Sequence, residues 1–158
     1  METRIFVASA AFLLCACASP PNSLSGADET QSQSPSLKTG NGESNLIIAE
    51  GVSRIGATFT FSRVLIEKDG WLVFHPFEDG APSPTEVAGY AFLRAGEHAP
   101  ARITIDTAPS IGDRYVAMLH YDVNEDGVFD FNDGVTVPDE PVFEDGVMIA
   151  HRISTPAN

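Results

Sequence analysis

The chain has 158 residues, and 22 acidic against 9 basic side chains give it a formal charge of -13. That balance excludes a nucleic-acid partner gripped through its phosphates, which needs clustered Lys and Arg. The length fits one ordinary domain with extensions, and the two cysteines, Cys15 and Cys17, lie too near the N-terminus to give the body of the protein a disulfide framework or a Cys-rich zinc site.

A short head containing Arg4 precedes an apolar run from Ile5 to Leu14 that is too short to anchor the chain by spanning a bilayer. Residues 1–16 are therefore expected to be a signal peptide. The run ends Leu14-Cys15-Ala16-Cys17. An aliphatic residue three places before a cysteine, with a small residue just before it, resembles the bacterial lipobox recognised by lipoprotein signal peptidase. The resemblance implies that Cys17 becomes the acylated N-terminus of the mature protein, since Leu14 is too bulky to precede a modified Cys15. It implies a cell-envelope location with the membrane reached through that lipid. Ala18 after Cys17, in place of Asp, favours the outer membrane or cell surface. Cleavage at an ordinary signal site would instead release a soluble secreted protein.

From Ala18 to Ser44 the composition shifts to Ser, Pro, Gly, Asn, Gln and Thr, which cannot bury enough apolar surface to offset the entropy of ordering. Residues 17–45 are expected to be the lipidated cysteine and a flexible tether, spanning on the order of 30 Å on average. A folded domain is expected over residues 46–155. Its apolar residues alternate at period two, so it reads as all-β. From Ala57 to Ile66, Phe59 and Phe61 share one phase and Val64 and Ile66 the other, which suggests a bulge near Ser62-Arg63. Asp69-Gly70 then reads as a hairpin turn, with Trp71 to His75 returning so that Ile66 faces Val73 and Leu65 faces Phe74. Further strands are expected at Val87–Leu93, at Arg102–Asp106 with Ile103 and Ile105 inward, at Tyr115–Tyr121 and at Val147–Ile153. Short strands, close turn signals and the lack of an amphipathic helix point to a β-sandwich of about seven strands, immunoglobulin-like in topology, with a small β-barrel as the alternative.

Several of these segments carry a family resemblance: Asp69 to His75, Val87 to Tyr90, Leu93 to His98, Ala117 to Asp122 and Gly127 to Phe131. In this order, over residues 53–153, they resemble a domain of unknown function found on exported and surface proteins of haloarchaea and bacteria. The resemblance implies an extracytoplasmic β domain and supplies no mechanism.

Nine acidic residues and no Lys or Arg lie between Asp122 and Asp145, leaving thirteen acidic and nine basic residues elsewhere. The charge excess is local. Asp122, Asn124 and Asp126 at positions 1, 3 and 5, Gly127 at 6, the Val128 carbonyl at 7, Asp130 at 9 and Asp133 at 12 reproduce the spacing of a calcium loop. Calcium needs six to eight oxygens, and this spacing turns alternate residues toward one centre. Gly134 to Pro138 cannot continue as a helix, so a structural ion between strands is expected, not a helix-loop-helix sensor. The acidic pairs Asp139-Glu140 and Glu144-Asp145 lack such spacing and read as a solvated turn around Pro141 and a lead into the last strand.

Met118, His120 and Asp122 share one strand face and His75 ends another strand, so a soft transition-metal site is a second candidate, although imidazoles at strand ends more commonly serve as hydrogen-bonded structural groups. No nucleophile elbow, Ser-x-x-Lys pair or phosphate cradle is present, and the reading is not that of an enzyme. The expected function is a lipid-anchored, calcium-stabilised envelope module that binds a surface protein or polysaccharide, with Trp71, Tyr90 and Tyr121 as stacking candidates. Its alternatives are a carboxylate-using hydrolase and a periplasmic transition-metal binder.

Overall fold

The computed structural model describes residues 37–131 and 138–158. The signal peptide, Cys17, most of the expected tether and Asp133 lie outside the described residues. All the described residues fall in one compact unit.

The strands in chain order are β1 (Leu37–Lys38), β2 (Leu46–Ile48), β3 (Ser53–Ile55), β4 (Thr58–Phe61), β5 (Arg63–Ile66), β6 (Gly70–Glu78), β7 (Ala81–Pro82), β8 (Gly89–Leu93), β9 (Gly96–His98), β10 (Ala101–Thr104), β11 (Arg114–Tyr121), β12 (Phe143–Glu144) and β13 (Val147–Ser154). The fold is all-β, and seven of these strands are four residues or longer. One sheet runs β1-β13-β11-β6-β7, with β8 on β6 and β12 on β13; two smaller sheets run β10-β4-β3 and β2-β5-β9.

The layers follow from the side-chain phase of the strands. Leu72 and Phe74 of β6, Ala117 and Leu119 of β11, and Ile149 and Ile153 of β13 form one core with Phe59, Phe61 and Ile103 of one small sheet and Ile47, Val64 and Ile66 of the other. The opposite phase of the large sheet is buried as well: Val116, Met118 and Ala150 pack with Leu37, Phe77 and Met148. Both faces of β6 and β11 are therefore covered, which is why the runs Trp71 to His75 and Val116 to His120 are buried at every position.

Two expectations about connectivity are corrected. β5 pairs with β2 and β9, whereas β6 pairs with β11 and β8, so Ile66 does not face Val73 and Asp69-Gly70 is not a hairpin turn. The chain there crosses from a small sheet to the large one. The phase reversal at Ser62 is real, but it marks a change of sheet between β4 and β5 and not a bulge within one strand. Both halves still direct Phe59, Phe61, Val64 and Ile66 into the same core.

The folded part also starts earlier than composition suggests. Leu37 and Lys38, within the expected tether, pair in parallel with Met148 and Ile149, and the Thr39 carbonyl accepts from the Ile47 amide at 2.8 Å. One apolar residue, Leu37, suffices because it covers an exposed sheet face instead of building a core of its own.

Candidate functional site

Tyr121 ends β11, and the chain is then held at both sides. The Asp122 amide donates to the Asp69 carbonyl at 3.0 Å, while the Tyr121 and Val123 amides donate to the carbonyls of Glu140 and Pro138 at 3.0 and 3.2 Å. The acidic loop thus leaves the sheet beside the segment 138–141. Within it, Asp122 Oδ2 accepts from the Gly127 amide at 3.0 Å, drawing positions 1 and 6 together. Glu125 and Gly127 take positive φ of 59° and 68°, and the glycine makes this reversal inexpensive. Asp126 accepts from the Val128 amide at 2.8 Å and from Asn124 Nδ2 at 3.0 Å.

Of the expected ligands that lie among the described residues, Asn124 and Asp126 are hydrogen-bonded to each other, the Val128 side chain is exposed, and the Asp130 amide reaches a residue outside the pattern. The Asp130 amide donates to Asp139 Oδ2 at 2.9 Å. Asp139, which composition placed in a solvated turn, is fully buried. Asp122, Asp130 and Asp139 each keep one buried carboxylate oxygen with no hydrogen-bond partner. Burial, and then the charges of Asp130 and Asp122, push the Asp139 carboxyl up to about 6. Among the described residues no three His, Cys, Asp or Glu side chains form a ready-made metal constellation.

Beside this loop lies an open groove of about 670 Å³, lined by Lys68 and Arg94 together with Asp122, Glu125 and Asp126. Aromatic residues occupy the adjoining face of the large sheet. Trp71 is buried and meets Tyr90, Phe92 and Phe129 edge-on at 5.5, 4.9 and 5.6 Å. It is not free to stack on a ligand, and its indole N–H is buried without a partner. The Tyr121 hydroxyl is engaged by Asn45 Nδ2 at 3.0 Å while the residue lines the groove, and Tyr90 is half exposed.

The histidines divide into two classes. His98 and His151 each donate to a backbone carbonyl near in sequence, that of Arg94 and of Arg152, both at 2.8 Å. His75 and His120, although 45 residues apart, bring their Nε2 atoms to 3.4 Å inside the protein. Their rings stack at 5.5 Å and 24°. Phe131 meets both edge-on, at 5.7 and 4.8 Å. Burial holds His120 down at about 3, with the neighbouring His75 acting in the same sense, and burial also lowers His75.

The buried groups make opposing contributions in acid. His120 binds a proton in the unfolded chain below its ordinary 6.5 and in the folded chain only near 3, so the stability it confers is lost as pH falls through that window. Asp139 takes up its proton near 6 when folded and 3.8 when unfolded, so its contribution is present below 3.8 and lost as pH rises through 6. Between pH 6 and 4 the two offset each other. Asp139→Asn in chelator should therefore show a urea midpoint that falls more steeply than the parent's through this range, because the lowered His120 and His75 are left without the opposing group. Equal pH slopes in the two proteins would refute the assignment.

The sequence left two residues of this region unread: Asp139, whose spacing from the loop has no pattern, and Phe131, which looks like a strand residue of the loop yet packs on the histidines. A model of a domain of unknown function (DUF7282) matches residues 47–155 of the chain. No curated protein and no solved structure matches it.

Proposed function

The chain belongs to the DUF7282 family, and we propose that it is a cell-envelope binding module, anchored by a lipid on Cys17, whose acidic loop holds a calcium ion as part of the fold. The observation that carries the calcium reading is the set of unpartnered, buried carboxylate oxygens on Asp122, Asp130 and Asp139. A buried carboxylate oxygen without a donor is costly, and three in one region are relieved by a hard cation more simply than by protonation. Asp130 and Asp139 supply the first donors, and Asp122, backbone carbonyls and water complete the shell. The ion closes the loop onto the segment 138–141 and fixes the rim of the groove, the surface offered to a partner in the envelope.

The thermal midpoint of the full chain in 1 mM calcium and in chelator tests this reading. With affinity near 0.1 mM, the ion adds about 1.4 kcal/mol, a rise of roughly 5–10 °C for a domain of this size. Asp122→Asn and Asp139→Asn should each abolish the rise. An unchanged midpoint would remove calcium from the proposal. The anchor is tested separately: Cys17→Ser should move the protein from the membrane to the soluble fraction while Cys15→Ser leaves it in the membrane, and identical partition of the two would count against lipidation of Cys17.

A further inference from the structure

His75 lies opposite Val116, and His120 opposite Trp71, on the paired strands β6 and β11. The two histidines are therefore four residues apart along one ladder and on one face, with Val73 and Met118 as the pair between them. Four residues of strand span about 13 Å, so the rings must lean toward each other for their Nε2 atoms to come within 3.4 Å.

Hydrogen bonding fixes which nitrogens carry protons. His75 Nδ1 stands 3.0 Å from the Glu86 carbonyl and His120 Nδ1 stands 2.8 Å from the Asp139 carbonyl. A carbonyl only accepts, so both Nδ1 atoms are N–H donors, and in the neutral rings both Nε2 atoms are bare lone pairs. Two lone pairs at 3.4 Å repel unless a cation lies between them. A water donating to both would hold the nitrogens about 4.4 Å apart at ordinary hydrogen-bond lengths. Two imidazoles bound to one metal at 2.0–2.1 Å with a tetrahedral angle stand about 3.4 Å apart. Backbone carbonyls on the outer nitrogens are also the usual means of orienting metal-binding histidines.

We propose that His75 Nε2 and His120 Nε2 are two ligands of a copper(I) ion, with Met118, the thioether that the register places between them, completing the donor set. The surroundings select the metal. All three protein ligands are neutral, and Phe129 and Phe131 pack on the rings. The desolvation cost of an ion grows as the square of its charge, so a monovalent ion enters such a setting at about a quarter of the cost of a divalent one. Imidazole with thioether suits copper(I) among monovalent ions. The site adjoins the acidic loop, since the Asp139 carbonyl orients His120, but its donor set is distinct and contains no carboxylate.

The test is anaerobic titration of the untagged Cys15→Ser/Cys17→Ser chain with copper(I) against a competing colorimetric chelator; the double substitution removes both thiols of the sequence. One copper(I) per chain is expected, weakened at least about 100-fold by His75→Gln and by His120→Gln. His75→Gln should keep the calcium-dependent rise in midpoint, which separates this site from the loop. Where a variant does not fold, X-ray absorption at the copper edge of the otherwise unmutated chain decides, with two nitrogen ligands near 2.0 Å expected. No stoichiometric copper(I), equal affinity in folded His variants, tighter binding of zinc in direct competition, or a copper spectrum without nitrogen ligands would each overturn the proposal.

Discussion

Phe74→Ala should lower stability by about 3–5 kcal/mol, and the thermal midpoint by roughly 15–30 °C. Phe74 is fully buried and is an aromatic residue through which the large sheet meets its cover: it lies 4.9 Å from Phe59 and 6.0 Å from Phe61, both edge-on, and stacks on Tyr115 at 5.5 Å. Phe59 and Phe61 come from β4 in a small sheet, while Tyr115 comes from the neighbouring strand β11. Removing the ring leaves a cavity between layers whose walls are strands fixed by their own ladders, so it cannot collapse fully. A domain of this size has a total stability of about 5–15 kcal/mol, and the variant should approach the limit of folding. Ile55→Ala provides the contrast: Ile55 is 85 % exposed, and its loss should change the midpoint within the scatter of surface substitutions. Calorimetry of the three proteins checks both statements, and similar midpoints for the two variants would contradict the layer assignment.

How much of this was readable beforehand depends on whether the information was local. The runs of apolar and aromatic residues between turn signals located β11 and β13 to within one residue at each end. The reversed phase at Ser62 was also visible, but alternation reports which way a side chain points and not which strand lies beside it. A bulge and a change of sheet leave the same trace. Pairing of neighbours in sequence is the common outcome, so β5 with β6 was the natural expectation, and only the long-range pairs β5–β2 and β6–β11 show otherwise.

The site was legible in the same uneven way. The loop spacing drew attention to Asp122 and Asp130 as calcium ligands, and each keeps one buried carboxylate oxygen without a partner. It did not reveal Asp139, because the segment 138–141 reaches the loop by lying beside the end of β11, a tertiary contact with no period in sequence. The histidine pair is similar. That Met118 and His120 share a face follows from strand period, but the approach of His75 depends on a register between strands 45 residues apart, and no residue pattern announces it.

Gly70→Ala should cost about 3 kcal/mol or more and should also weaken the histidine site. Asp69-Gly70 drew attention as a turn dipeptide, but Gly70 does not have positive φ; what it needs is space. A Cβ there would collide with the His120 carbonyl oxygen and stand 3.0 Å from the Tyr121 Cα, and both are backbone atoms that cannot rotate away. Relief requires β6 and β11 to separate where Gly70 pairs with Tyr121 and Trp71 with His120. Such a shift strains the Asp122 amide bond to the Asp69 carbonyl, and it moves His120 while His75, at the other end of the ladder, stays. The Nε2 separation that matches one metal centre would then be lost. Gly51→Ala is the control, since Gly51 has φ of 73° but nothing within 4 Å of the added methyl. It carries only the left-handed backbone penalty of about 1–2 kcal/mol and should leave copper(I) affinity as it was. Urea midpoints and copper(I) competition on the two variants separate these effects: a Gly70→Ala protein that is no less stable than Gly51→Ala and binds copper(I) as the parent does would show that the strands accommodate the methyl without moving His120.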